Sequence, residues 1–488
     1  MFSKSISFFY CVAFIQIKLL LNFNNYNNQM GNKVRLNFWQ IWNMNFGFFG
    51  IQFSFGLQQS NMSAIYKYLG ADEGSLPMLW LAGPITGLIL QPIIGAISDG
   101  TWSPKFGRRK PFFLIGAILS SVALVAMPFS TSIWMAASLL WILDAANNIA
   151  MEPYRAFVAD KLPNEQYSIG FLTQSFFTGL GITLANFTPA ILVAFGFFAI
   201  SDKMDNGIPT YTYWAFFIGS IAALVSILVT VFTTTEYPPT DAELELMHLE
   251  KQKGGIVYRT VTDIVEAFKS MPLTMKQLIP VKFFSWYAMF CYWQYITSTL
   301  SISIFNTSDS NSEGFSNAQL LTGNLNGTYN IVCFLVAFAL IPLAKKIGAK
   351  GVHFFALALG GIGLLIIPFL NNTDVLFHIY NPFGETVAIS TIYLYSFGLG
   401  IAWASMLAMP YQLLAGSIPK GKIGVYMGIF NMFIVIPMAI QIVSVQYFIF
   451  DFLGKNPINI VRLAGVFLIL GAFFTLFITV KNKNQIVE

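Results

Sequence analysis

Apolar residues gather into runs of about 20 along most of the chain, parted by short polar or charged intervals. A run of that length, coiled as a helix, crosses a hydrocarbon core of about 30 Å. Twelve such runs are expected, over residues 38–60, 77–98, 111–130, 133–157, 168–195, 212–232, 278–304, 319–343, 352–370, 387–413, 423–449 and 458–480. An earlier apolar stretch, 7–23, is broken by Lys18 and lacks a small-residue cleavage site. The expected chain start is therefore Met30, with residues 1–29 dispensable or lying at the membrane surface.

Basic residues give this pattern a direction. With both termini in the cytoplasm, nineteen Lys and Arg fall on the inner side, and Lys67, Lys203 and Lys455 fall outside. That asymmetry fixes orientation and accounts for the net charge of +5 as topology, with no nucleic-acid partner required. Charged residues make up 10% of the chain, against about 25% in soluble domains. Aromatics reach 16%, and Trp39, Trp42, Trp80, Trp134 and Trp214 sit at span ends as belt anchors. The fold class is all-α integral membrane.

The domain plan is an N-terminal segment 1–37, a six-helix bundle 38–232, a cytoplasmic linker 233–277, a second six-helix bundle 278–480 and a cytoplasmic tail 481–488. Thr240 and Glu243 make a capping-box pattern that opens a short surface helix in the linker. The halves echo each other: MEPYRAFVADKLP (151–163) resembles AMPYQLLAGSIP (408–419), and GRRKPFF (107–113) weakly resembles GAKGVHFF (348–355). The two offsets differ by 16 residues, about the excess length of the outer loop after span nine. Parallel six-helix repeats are the architecture of major-facilitator carriers.

Candidate chemistry concentrates in span four. Asp144, Asn148, Glu152 and Arg155 follow at offsets that keep them on one helical face. Ionisable groups inside a span cost at least about 2.5 kcal/mol each and mark substrate or ion paths. Asp144 lies about 16 Å from the outer boundary, where a carboxyl can load a proton from one side and release it to the other. Arg155 is about 16 Å further on, too far to pair with Asp144, but Glu152 is one turn away and in reach. Softer candidates for sugar hydroxyls are Gln52, Gln58 and Gln59 on span one, Asn148 on span four and Asn330 on span eight, with Trp293, Tyr292 and Tyr295 on span seven as stacking faces. Any of these amides can equally be glue between helices. In GAISDGTWSPKFGRRKP (95–111), Gly95, Asp99, Gly107, Arg108 and Arg109 form a candidate gate, an acidic–basic cluster that would hold the two halves in one access state. Plain topological anchoring is the simpler reading of its basic residues.

The stretches GIQFSFGLQQSNMSAIYKYLG (50–70), LWLAGPITGLILQPIIGAISD (79–99), FGRRKPF (106–112) and LDAANN…EPYRAFVAD (143–160) resemble the glycoside–proton symporters, which include plant sucrose carriers. The resemblance implies a twelve-helix major-facilitator fold, a coupling proton on Asp144 and a sugar-transport role for Arg155. It departs at Asp99-Gly100, where the family has an Asp-Arg pair, and at Glu152, where the plant signature has glycine.

The reading is a sugar:proton symporter for a disaccharide or glucoside such as maltose or sucrose, in a bacterial inner membrane, with lipid as its surroundings, no cofactor, no metal and no obligatory protein partner. A sodium-coupled carrier or exporter of the same fold is the alternative. A non-transporting sensor would need an added signalling domain. Cys11, Cys291, Cys333 and the three scattered histidines show no disulfide, metal or nucleophile–base spacing, so an intramembrane enzyme is not expected.

Overall fold

The computed structural model describes residues 34–239, 244–245, 268–380, 386–414 and 423–479. The segment 1–29, the Thr240–Glu243 capping box and the tail 481–488 lie outside them. The helices are α1 (Phe38–Tyr68), α2 (Ala82–Asp99), α3 (Lys110–Ala126), α4 (Ile133–Lys161), α5 (Tyr167–Ala194), α6 (Thr210–Thr233) and α7 (Leu273–Ser303). The stretch Glu313–Ile366 breaks at Gly348, whose positive φ of 76° ends one helix and starts the next, giving α8 (313–347) and α9 (349–366). Then come α10 (Tyr393–Leu414), α11 (Ile423–Ser444, running on through a π-turn to Phe452) and α12 (Pro457–Thr475).

Local chemistry sets several starts. Asn37 and Gln40 form a reciprocal capping box at α1, each side chain accepting from the other's backbone N–H at 2.9 Å. Ser132 caps α4, Ser312 caps α8, and Asn456 followed by Pro457 opens α12. Among the described residues, nine helices are long and apolar enough throughout to cross a membrane. The segments α1, α7 and the first part of α8 fall short of that measure because they carry buried amides and hydroxyls, among them Asn45, Gln58, Asn61, Gln294, Gln319 and Asn326. Such residues belong on helices that face an interior path.

The two halves repeat one packing scheme. α1 packs on α5 and α6 as α7 packs on α11 and α12, and α3 packs on α4 and α6 as α9 packs on α10 and α12. Gly361 and Gly465 face each other where α9 crosses α12; a methyl on either would come within 2.8 Å of the other's carbonyl oxygen. Ile115, Ile118 and Val122 on α3 and Phe355, Leu359 and Ile362 on α9 point outward as helical stripes, a lipid-facing surface on each half. The halves meet along α5 with α8 and α2 with α11.

Two expectations change. Residues 387–390, read as the start of span ten, belong to an antiparallel hairpin of β1 (Val375–Tyr380) and β2 (Thr386–Ser390), and α10 begins only at Tyr393. The apolar TVAIS run satisfies a strand as well as a helix end. Trp80 is no belt anchor: it is buried, donates from Nε1 to Ser63 and meets Phe290 of the other half edge-on. Trp39 and Trp134 do stand exposed at helix ends.

Candidate functional site

α4 carries the site. Asp144 is 5% exposed, and its Oδ1 accepts a hydrogen bond from Gln58 Nε2 of α1 at 2.8 Å. Gly83, at the start of α2, keeps the space beside Oδ2 open, since a methyl there would lie 3.5 Å from that oxygen. One turn on, Asn148 Nδ2 donates to the Asp144 carbonyl at 2.9 Å and to Thr86 Oγ1 at 3.1 Å. Its Oδ1 accepts from Gln91 Nε2 at 2.8 Å. Asn147 Nδ2 donates to Ser54 of α1 at 3.0 Å. Three helices thus hold Asp144 and Asn148 through neutral partners, and the carboxyl has no ion pair in the described residues.

Glu152 and Arg155 pair at 3.0 Å on the next turns, as their spacing allows, with the arginine side chain 45% exposed. Arg155 is within electrostatic reach of Tyr411 on α10, so this end of α4 faces the other half. Gln52 is buried on α1. Asn330 Nδ2 bonds back to the Asn326 carbonyl of its own helix at 2.8 Å. Trp293 donates to Tyr329 at 3.2 Å and packs edge-on against Trp403, and its indole is nearly enclosed. Tyr295 lies away from this group, donating to the Glu73 carbonyl at 3.0 Å and stacking on Phe450.

The faces of the bundle differ. At the face opposite the Lys/Arg-rich one, Gln319 of α8 is buried among four residues of the first half. Its Nε2 donates to Asn61 Oδ1 at 2.8 Å and Thr212 Oγ1 at 2.9 Å, and its Oε1 accepts from Tyr68 at 2.8 Å. Tyr211 donates to the Ser316 carbonyl at 3.2 Å. Deeper, Asn326 bonds Ser60, whose hydroxyl bonds Asn186, while Tyr292 donates to Asn326 Oδ1 at 2.7 Å. These hydrogen bonds clasp the two halves on that face. Among the described residues no side-chain hydrogen bond joins them at the basic face.

The basic loop between α2 and α3 is tied into its own half. Glu236, just after α6, accepts from the backbone N–H of Arg108, Arg109 and Lys110 at 2.8–3.1 Å, an anion on the N-terminus of α3. Arg109 Nε pairs with Asp160 at 2.7 Å, and its Nη1 donates to Ser98, which in turn bonds the Gly95 carbonyl. These contacts tie the backbone of Arg108 and the backbone and side chain of Arg109 to residues of the first half. α2 ends at Asp99, whose side chain is not among those described. Gly107 has φ +80°, and a methyl there would lie 2.6 Å from the Glu236 carboxyl. Gly107→Ala should therefore cost about 1–3 kcal/mol of stability, read as a lower unfolding temperature in detergent. An unchanged temperature would show that the Glu236 clasp is not formed.

Sequence reasoning missed Gln319, Asn326, Asn147 and Glu236, and also Lys282 and His353, both fully buried. A lysine inside the 278–304 run was a legible signal for Lys282. The others act through partners far away in the chain, which no local pattern reveals.

Comparison with known proteins follows the same line. A family model described as Major Facilitator Superfamily matches residues 44–442. The chain is 25% identical over 420 residues to sucrose transport protein SUC4 of Arabidopsis thaliana, covering 80% of each. It is 28% identical over 290 residues to sucrose transport protein SUT5 of Oryza sativa subsp. japonica, covering 53% of this chain and 51% of that one. Among solved structures, the nucleoside transporter NupG aligns with TM-score 0.60 at 12% identity, over 90% of this chain and 98% of that one. A bacterial homolog of the human lysosomal transporter Spinster aligns with TM-score 0.58 at 14% identity, over 90% of this chain and 95% of that one.

Proposed function

The chain belongs to the Major Facilitator Superfamily, a multi-pass membrane transporter and not an enzyme, and on that footing we propose that it is a sugar:proton symporter working by alternating access. The observation that carries the reading is Asp144, a carboxyl enclosed in the first half, held by neutral donors and free of any ion pair among the described residues. A carboxyl so placed changes charge when it takes or loses a proton, and that change alters how its neighbourhood packs. The similarity to plant sucrose transport proteins supports a sugar as cargo, with a disaccharide or glucoside as the expected class.

In this reading the basic face is cytoplasmic, by the distribution of Lys and Arg, and both termini lie there. The Gln319 clasp then closes the outer side. Binding outside, with Asp144 protonated, would release the clasp, and the halves rock about the site. Arg155 offers a rigid donor fork to sugar hydroxyls from the inner end of the path, and Glu152 holds that fork in place. Arg155→Lys should raise the half-saturating sugar concentration about tenfold, because a point charge with rotating donors does not reproduce the planar fork. An unchanged value would leave Arg155 as part of a local ion pair.

The function is tested by uptake of a panel of radiolabelled sugars into proteoliposomes, under an inward proton gradient, an inward sodium gradient or none. Accumulation of a disaccharide or glucoside under the proton gradient alone is expected. Accumulation that follows sodium, or no uptake of any sugar, contradicts the reading.

A further inference from the structure

Lys282, on α7, lies about 14 Å in from the start of its helix at the basic face. It is 1% exposed, and its Nζ has no hydrogen-bond partner among the described residues. Three aromatic faces surround the ammonium: Phe430 at 3.9 Å, Tyr411 at 4.9 Å and Trp286 at 5.9 Å to the ring centres. His353, bonded through Nδ1 to Ser405 at 2.8 Å, is within electrostatic reach, and Arg155 stands across Tyr411 in the other half. Among the described residues no carboxylate pairs with this charge. Between residues 268 and 479 the sequence has Asp or Glu only at positions 309, 313, 374, 385 and 451, and the described ones, 309, 313, 374 and 451, fall in or beside connections at the opposite face. Glu152 is taken by Arg155, and Asp144 is held by Gln58 on the first half.

A buried cation within a membrane span is costly unless an anion joins it. The ring faces supply part of what water gave, but they cannot neutralise it. Beside the ammonium the aromatic wall continues: Trp286 meets Trp403 edge-to-face at 5.5 Å, and Trp403 meets Trp293 edge-to-face at 5.6 Å, all three nearly buried. An aromatic row ending in an unneutralised ammonium matches a ligand with an apolar ring face and a negative substituent. Lysine's four-carbon stem lets the charge leave its ring box to meet that substituent.

We propose that the carrier takes a glycoside bearing an anionic group, a carboxylate or a phosphate, with Lys282 as its counter-charge and the Trp286–Trp403–Trp293 row as the bed for its sugar ring. This rests on the reading of the protein as a sugar carrier and narrows its substrate class. Tyr411, whose ring centre lies 4.9 Å from the Lys282 ammonium and which is within electrostatic reach of Arg155, would sit at the edge of this bed.

The test is counterflow in proteoliposomes with three glycosides that differ only at C6: methyl β-D-glucoside, methyl β-D-glucuronide and methyl β-D-glucoside 6-phosphate. The full-length wild type should prefer one of the charged pair over the neutral glucoside by at least about tenfold, and which one wins identifies carboxylate or phosphate. Lys282→Gln should erase that preference while neutral glucoside is still exchanged, and Lys282→Arg should keep most of it. Lys282→Met, with a similar stem and no charge, takes the place of Lys282→Gln if that variant does not reach the membrane. A wild type that prefers the neutral glucoside, or a preference untouched by losing the charge, overturns the proposal and leaves Lys282 as a cation–ring anchor. If no sugar at all is exchanged or bound, the sugar reading itself has failed.

Discussion

Asp144→Asn should reduce sugar accumulation under a proton gradient to the level of passive equilibration. The amide has nearly the shape of a protonated carboxyl and can keep a polar contact with Gln58, so the packing of α1 against α4 is retained. It cannot lose a proton, so the step that resets the carrier with its site empty and ionised is removed. Exchange of internal for external sugar, which needs only the loaded carrier, should persist. Counterflow and gradient-driven uptake, measured on the same proteoliposomes, separate the two. Loss of both at normal membrane abundance would make Asp144 a structural residue instead.

The second large effect is expected at the clasp. Gln319→Leu fills the same space but takes one partner from each of Asn61, Thr212 and Tyr68, all buried, with Tyr68 keeping Ser316 at 3.3 Å. Each lost hydrogen bond is worth about 1 kcal/mol, and a buried group left without a partner costs more. The penalty falls on the state in which that face is closed, because opening lets water satisfy the same groups. A shift of about 2 kcal/mol moves the population of access states about thirtyfold toward the other state. A cysteine placed at Phe187, which faces Gly327 of α8 across the seam, on an otherwise cysteine-free background should then react faster with a membrane-impermeant maleimide added at that face. Labelling no faster than in the parent would show that the clasp does not set the access state.

Much of the frame was legible because the bilayer imposes a strong rule, a long apolar run for every crossing. The breaks at Gly70, Gly107 and Gly348 follow from the same residues that punctuate the hydropathy pattern. Span four was legible too, since its ionisable groups stand out from an apolar ground, and the Glu152–Arg155 pair follows from helical spacing. The partners were not legible. Gln58 meets Asp144 across 86 residues, Glu236 reaches Arg108 across 128, and Gln319 reaches Asn61 across 258. Periodicity says which face of a helix is polar and not which other helix that face meets. The basic loop shows the same limit: its composition marks an acidic–basic cluster but does not reveal Asp160, Ser98 and Glu236 as partners of Arg108 and Arg109. Residues 387–390 of β2 read equally well as the start of span ten, because so short an apolar-rich run does not separate the two periods.

The claim at the centre is that sugar and proton move together through Asp144. It is tested most directly with a pH-sensitive dye trapped inside proteoliposomes at equal pH on both sides. Adding a transported sugar outside should acidify the lumen in the wild type, at a rate that saturates with sugar, and should leave the lumen unchanged in Asp144→Asn. Sugar entry without acidification in the wild type, or acidification that persists in Asp144→Asn, would contradict it.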